Sequence, residues 1–544
     1  MASDGGDGPK DDPETWSLPT VLGVRTSERS PERSQRLSAS RPARPAPPRG
    51  GSGGGSRGAL TEDMAEIEAE LLRGVSLSTA LNGLGKHWKL PSLTSMYEIQ
   101  QKSAYKLSFE VAAFHHFLSH DWKTSRWAKY WSILILFNLR AATIATFLAA
   151  VLVGMVAARF LPWLIFVFSL CFWQSLRSVF RRPLVVFVDK LCIAQHDPAL
   201  KAKGIRGLST FLDRSEELTI LWSSRYFTRL WCVYELATFL RHGQAQQVKL
   251  FPVAMARVLL VIASSSVPAR ILDDFNYILG SSDIFAAVIQ FACILLVQPL
   301  ILYLLLGVMA DVQNLEKQFK EFSIQKSQCF CCTSDHRHPD TGETLMCDRK
   351  FVYEAVRTWY AAGADGDNGD SIHFEKFDQV VRTSLRSSVL EGAETVILPF
   401  KIVFCLAVVN QAPAVVQMMT WSEADMLRYG VPPVSETSFA RSVWRVIAWV
   451  CFVWVKQLVF ILVDAGFLFR ICKWSSHLLR MSRLKVTLLV SPLLVLVSLI
   501  YITAIATSYG DFIVPFHIMF EWLPVVTAGW WLFISCLYRV GPFS

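Results

Sequence analysis

Two apolar segments, residues 131–158 and 160–178, lie between stretches that read as β-strands, and that placement limits what the chain is able to build. A helix needs about 20 predominantly apolar residues to cross a bilayer, and each segment is long enough. Only Arg159-Phe160-Leu161-Pro162 joins them, so residues 131–178 read as a tight transmembrane hairpin, with Pro162 near the start of its second arm. Lys123, Arg126 and Lys129 precede the hairpin, and Arg177, Arg181 and Arg182 follow it. Basic flanks of this kind stay in the cytosol. Two crossings bring the chain back to the side it left, so strands before and after the hairpin remain able to share one sheet.

Further candidate spans cover about 252–272, 283–308, 396–420, 443–468, 485–508 and 512–538. The segment 252–272 is interrupted by Arg257 and Ser264-Ser265-Ser266. Counting it keeps two basic loops in the cytosol, 310–394 and the stretch from Arg470 to Lys485. The sum is eight crossings: the hairpin, a pair over 252–308 and four transmembrane helices over 396–538, with both termini cytosolic. At 52% hydrophobic and 18% charged, the composition fits an integral membrane protein better than a soluble enzyme. The net charge of +9 is spread over the N-terminal tail and the flanks of apolar segments. It forms no stripe for nucleic acid, and membrane lipid is the partner it implies. The twelve cysteines show no disulfide ladder and read as reduced. Residues 1–60, rich in Gly, Pro, Ser and Arg, read as a disordered tail without the apolar core of a signal peptide. Residues 61–104 read as a short helical lead-in, opened by Thr61-Glu62-Asp63 and stopped at Gly74.

Four short apolar runs interleave with this membrane pattern: Phe117-Leu-Ser-His-Asp121, Leu184-Val-Val-Phe-Val-Asp189, Leu218-Thr-Ile-Leu-Trp222 and Val248-Lys-Leu-Phe-Pro-Val253. The third ends in Ser223-Ser224 and leads into Tyr226-Phe-Thr-Arg-Leu-Trp-Cys-Val-Tyr-Glu-Leu236, which reads as a turn and then a helix. The first two end in an acidic residue where a strand leaves its sheet. In this order the elements, over residues 110–121 and 183–255, resemble the TIR domain, the Toll/interleukin-receptor signalling module. They are also similar to heterokaryon-incompatibility domains, which share an Asp…Cys-Ile…Gln loop, here Asp189…Cys192-Ile193…Gln195.

The resemblance implies a flavodoxin-like parallel sheet, assigned to residues 105–130 and 179–255, that the hairpin interrupts in place of a short connecting helix. The flanks Lys123–Tyr130 and Gln174–Arg182 then become helical connectors near the bilayer surface. Sites in doubly wound sheets lie at the carboxyl ends of the strands. His120, Asp121, Asp189, Ser223, Ser224 and Glu235 gather there as a candidate cleft. Trp231-Cys-Val-Tyr-Glu235 matches the Trp-x-x-x-Glu spacing of TIR enzymes that cleave NAD. It implies Glu235 as the carboxylate that steadies an oxocarbenium-like centre as nicotinamide departs, with Trp231 packing the helix. Against this stands a signalling-only module in which Trp231 is core and Glu235 faces water. Homotypic association is the partner relationship that the family implies.

Cys329-Phe-Cys-Cys332, His336, His338 and Cys347 form a second cluster, with Cys329, Cys332, His338 and Cys347 as the candidate ligands. Cys329-x-x-Cys332 is half of a zinc knuckle, although the second half is irregular. Lipid acylation and plain reduced thiols stay open beside zinc. Asp365-Gly-Asp-Asn-Gly-Asp370 with Glu375 lacks the ligand set of a calcium loop in either frame and reads as a polar turn. Arg140, Lys401, Lys456, Asp464, His517 and Glu521 place charge or polarity inside spans. They support a rival expectation, a channel or transporter regulated by the TIR-like module. A membrane scaffold without catalytic activity is the third.

Overall fold

The computed structural model describes residues 69–89, 97–153, 161–240, 247–264, 283–337, 342, 344, 347–360, 369–387, 400–419, 462, 465–478 and 481–496. The expected tail 1–60, the polar turn at 365–368, His338, Lys456, Asp464, His517 and Glu521 lie outside the described residues.

Six strands form one mixed, mostly parallel sheet: β1 (Arg73–Ser76), β2 (Phe109–Glu110), β3 (Phe114–His120), β4 (Val185–Phe187), β5 (Ser215–Trp222) and β6 (Val248–Pro252). Their order across the sheet is β2-β1-β4-β3-β5-β6. The last four in that order are parallel to one another: β3 pairs with β4 through His116 opposite Val186 and with β5 from Phe114 to His120, and β5 pairs with β6. β3 therefore occupies the middle. The strands are short and apolar because both of their faces are covered. Phe117 stacks on Phe187 with ring centroids 4.5 Å apart, and Phe187 meets Phe211 of the helix Leu208–Asp213 at 4.6 Å.

The lead-in departs from the helix expected for it. Residues 73–76 are extended and extend the sheet antiparallel to β4, with Val75 opposite Val186. Gly74, expected as a helix stop, lies within this strand. A Cβ there would come within 2.7 Å of Val185 and 3.0 Å of Phe114, so the close approach of the edge needs glycine.

The chain leaves the sheet after β3 into the helix Arg126–Val153, returns through Leu161–Phe180 and re-enters it as β4. Both strands that flank the hairpin thus belong to one layer. The flanks expected as helical connectors are helical from Arg126 to Tyr130 and from Gln174 to Phe180, as continuous ends of the two hairpin helices. The inner half of that helix is core: Ile133 and Leu134 are fully buried, and Phe137 sits 4.9 Å from His116 of the sheet. Its outer half exposes Ile144, Leu148 and Leu152. Among the described residues, three helices are long and apolar enough to cross a membrane, Arg126–Leu152, Leu161–Phe180 and Leu295–Lys320. The segment expected to span over 252–272 contains the helix Val253–Ser264, whose 12 residues cover about 18 Å at 1.5 Å per residue, against a hydrocarbon core of about 30 Å. Met255, Ala256 and Val258 are fully buried on it, and residues 265–272 of the expected span lie outside the described residues. The helix Phe400–Met419 lies along the hairpin, and residues 465–476 and 483–496 are also helical.

Polar groups lock the hairpin. Asn138 Nδ2 donates to the Leu170 carbonyl at 2.8 Å, and Gln174 Nε2 donates to Asn138 Oδ1 at 2.7 Å, with Asn138 fully buried. Interhelical hydrogen bonds between apolar helices contribute about 0.6–2 kcal/mol. Asn138→Leu is expected to lower the thermal midpoint of the full-length protein in detergent by a few degrees, with Gln174→Leu adding little in the double variant. Fully additive losses would show that the two side chains do not act as one pair.

Candidate functional site

The parallel strands run second, first, third, fourth across the sheet, so the connections reverse direction between β3 and β5. In open α/β sheets that reversal opens a crevice beyond the carboxyl ends of the strands. The structure brings His120, Asp121 and Asp189 to this edge through a residue the sequence reading did not single out, Trp122. Its indole Nε1 donates to Asp189 Oδ2 at 2.8 Å, and its ring meets His120 at 4.5 Å. Trp88 closes the other side of His120 at 5.1 Å. Burial, and then the nearby Lys129, hold the His120 imidazole well below its usual range, so the ring is neutral. Asp121 is almost fully buried between Arg225 and Arg229, whose Nε atoms each lie 3.8 Å from one of its oxygens. Burial raises the Asp189 carboxyl, opposed by Trp122, the Lys190 amide and the cations Lys129 and Lys190. Lys129 is fully buried, with Nζ 4.8 Å above the Trp122 ring. These contacts make a closed ion and aromatic cluster that ties the first hairpin helix to the sheet.

Glu235 is half-buried beside the carboxyl end of β3. The helix Leu230–Leu240 lies under the sheet, and Glu235 Oε2 accepts a hydrogen bond from Ser119 of β3. Ser119 Oγ lies 2.6 Å from the Tyr226 hydroxyl, which completes a chain from Tyr226 through Ser119 to Glu235. Burial pushes the Glu235 carboxyl up to about 8, although the Ser119 bond pulls the other way. At neutral pH the group is mainly protonated. Trp231 makes different contacts: its Nε1 donates to Asp348 Oδ2 at 3.1 Å, and its ring packs on Phe351 at 6.2 Å. Their spacing of four residues promised a shared face, but tertiary packing gives them different partners. Cys232 Sγ, between them in sequence, points to the His120 carbonyl at 3.6 Å.

The Ser223-Ser224 turn is covered rather than open. Gln318 Nε2, near the end of the helix Asp283–Lys320, donates to the Ser224 carbonyl at 2.7 Å. Phe319 packs on Phe227 at 5.0 Å. Gln328 N then donates to the Thr228 carbonyl at 2.6 Å, and Leu230 N donates back to the Gln328 carbonyl at 3.0 Å.

The cysteine cluster forms with a different membership from the expected set. Cys331, Cys332, His336 and Cys347 offer ligand atoms that all lie within 4.8 Å of one another. Cys332 Sγ is 3.9 Å from Cys331 Sγ, 3.9 Å from Cys347 Sγ and 3.8 Å from His336 Nε2. A tetrahedral ion with bonds of about 2.3 Å to sulfur separates neighbouring ligand atoms by about 3.8 Å. The donor set and its spacing therefore fit a metal of the zinc kind. Cys329, expected as a ligand, is not one of these four although it touches Cys331. Its Sγ is 3.0 Å from Cys331, too close for two ligands of one such ion, and it forms a second grouping with Cys331 and Asp348. Asp348 N donates to Cys331 Sγ at 3.3 Å, the kind of outer-shell bond that steadies a ligand.

Of the charged residues expected inside spans, Arg140 and Lys401 are described, and both are exposed on their helices.

The buried Glu235 proton has a consequence for stability. The folded value near 8 exceeds the ordinary 4.5, so between those pH values the native state keeps a proton that the unfolded chain has lost. Stability from this group is fully present below about pH 4.5 and declines as pH rises toward 8. Glu235→Gln is expected to flatten the pH dependence of the thermal midpoint across that window and to exceed wild type at its alkaline end. Parallel pH profiles for the two proteins would rule out a native-state proton on Glu235. Comparison with known proteins finds no family model, no curated protein and no solved structure that matches this chain, so the reading of both sites rests on their geometry.

Proposed function

We propose that this chain is a membrane-embedded protein that presents a TIR-like α/β module in the cytosol and acts through association of that module with other copies. The parallel pairing of β3 with β4 across the hairpin carries the reading. It gives the order second, first, third, fourth that flavodoxin-like sheets share, with the residues of the TIR-like motif at its carboxyl edge and on the helix beneath. The resting state is catalytically silent. Stabilising an oxocarbenium-like centre needs an ionised carboxylate aimed at a bound substrate, whereas Glu235 is protonated at neutral pH and bonded to Ser119 under the sheet. The scaffold reading is thus favoured over the NAD-cleaving one for this state.

The test uses full-length protein in nanodiscs and in membranes. No NAD consumption is expected above that of Glu235→Ala, and single-molecule photobleaching is expected to show complexes of more than one copy. Turnover of NAD that Glu235→Ala abolishes would overturn the silent state. A strictly monomeric protein at every membrane density would overturn association.

For the cysteine cluster we propose zinc, held by Cys331, Cys332, His336 and Cys347. The purified full-length chain is expected to carry about one zinc, in keeping with a closed four-ligand structural site. Cys347→Ser should lose it, and Cys329→Ser should keep it. The opposite pattern for these two variants would restore Cys329 to the ligand set.

A further inference from the structure

The zinc site stands at a junction. Its ligands Cys331, Cys332 and His336 follow the segment that crosses the carboxyl edge of the sheet, and Cys347 opens the helix Asp348–Tyr360. Two strips of chain on either side of the cluster touch the helix that carries the Trp-x-x-x-Glu motif. The first is the mutual pair of backbone bonds between Gln328 and the Thr228–Leu230 turn. The second is Asp348, which receives the Trp231 indole on its carboxylate and gives its amide to the Cys331 sulfur. Asp348 therefore joins a metal ligand and Trp231 within one residue. Phe351 and Trp359 extend that contact over Tyr234 at 5.8 and 5.5 Å.

The segment also packs on its own account: Phe377 meets Phe322 and Tyr360, Ile324 N donates to Asp378 Oδ1 at 2.9 Å, and Arg349 donates to the Gln325 and Ser327 carbonyls at 3.0 and 2.8 Å. The short helix Phe330–Thr333 is a single turn, and Asp335 and His336 adopt positive φ of 49° and 56°. Neither residue is glycine, so that backbone costs energy that something must offset. A four-ligand ion does so directly, since binding free energy at a structural metal site is folding free energy.

We propose that the metal at Cys331, Cys332, His336 and Cys347 is a clasp that fastens residues 318–337 and 347–360 across the carboxyl edge, with Asp348 as the positioning residue that carries the effect to Trp231. Loss of the ion frees Asp348 and Gln328 together and uncovers the Ser223–Arg229 turn and the buried face of Phe227. This rests on the zinc reading above, but it claims more than occupancy: it claims coupling between the ion and the motif helix.

Amide hydrogen exchange on the full-length protein in detergent, with zinc content measured on the same samples, tests it. Stripping the ion with a chelator is expected to speed exchange about tenfold or more in peptides covering 226–236 and 324–333, leave the β5 peptide unchanged, and be reversed by zinc. Asp348→Ala should speed exchange in 226–236 while zinc stays bound, and Trp231→Phe, which keeps a ring but loses the donor, should do so to a smaller degree. If zinc leaves and exchange over 226–236 does not move, the clasp is wrong and the zinc site stands. If the native protein carries no zinc, both fail.

Discussion

The pairing of β3 with β4 is the constraint on which everything else depends. Those strands are separated in sequence by a hairpin long enough to enter a bilayer, and they are adjacent in space. Closing such a connection costs entropy that grows only slowly with its length, but it demands that the hairpin begin and end at the same place. The Asn138–Gln174 pair and the Leu170 carbonyl help to satisfy that demand by fixing the two helices against each other near their return to the sheet. Because β3 is central, its carboxyl end then sets the position of Asp121 for Arg225 and Arg229, and its underside sets Ser119 for Glu235. Moving the hairpin would move both.

The two halves of the Trp-x-x-x-Glu motif are used for different purposes. Glu235 is turned inward to a short hydrogen-bonded chain, where protonation removes the cost of burying a charge. Trp231 is turned toward the segment that follows the third long apolar helix. The motif helix is thus held between the sheet and a cover. A carboxylate that needs access to substrate would require both contacts to open.

The strand candidates, their order and the return of the chain after the hairpin were legible in the sequence, because short apolar runs ending in Asp121, Asp189 and Ser223-Ser224 alternate with helical patterns. The edge strand at Arg73–Ser76 was not. It has only four residues, one of them Gly74, and its extended state is imposed by β4 and by Val185 and Phe114 crowding the glycine. The cysteine quartet was half legible. Spacing alone favoured Cys329-x-x-Cys332 as a knuckle. The single helical turn Phe330–Thr333 instead puts Cys331 beside Cys332, Cys347 and His336, a choice that depends on where Asp348 docks. The hydrogen bond from Ser119 to Glu235 was not legible at all, since period 3.6 gives the face of a helix but not what the face meets.

The long apolar helices also reach the sheet. The helix Arg126–Val153 passes without interruption from contacts with Lys129 and Phe137 at the sheet to an outer half that exposes Ile144, Leu148 and Leu152. The helix Asp283–Lys320 likewise runs on from its apolar stretch until Gln318 reaches the Ser224 carbonyl and Phe319 reaches Phe227. An α-helix is stiff along its axis, and tightly packed interiors transmit displacement. Both helices therefore connect to the same short stretch, the turn from Ser223 to Arg229, from two directions. The first helix reaches it through Asp121 and its two arginines, and the second through Gln318 and Phe319. That turn sits directly before the motif helix, which makes the geometry of the spans and the cover over Trp231 one mechanical problem rather than two.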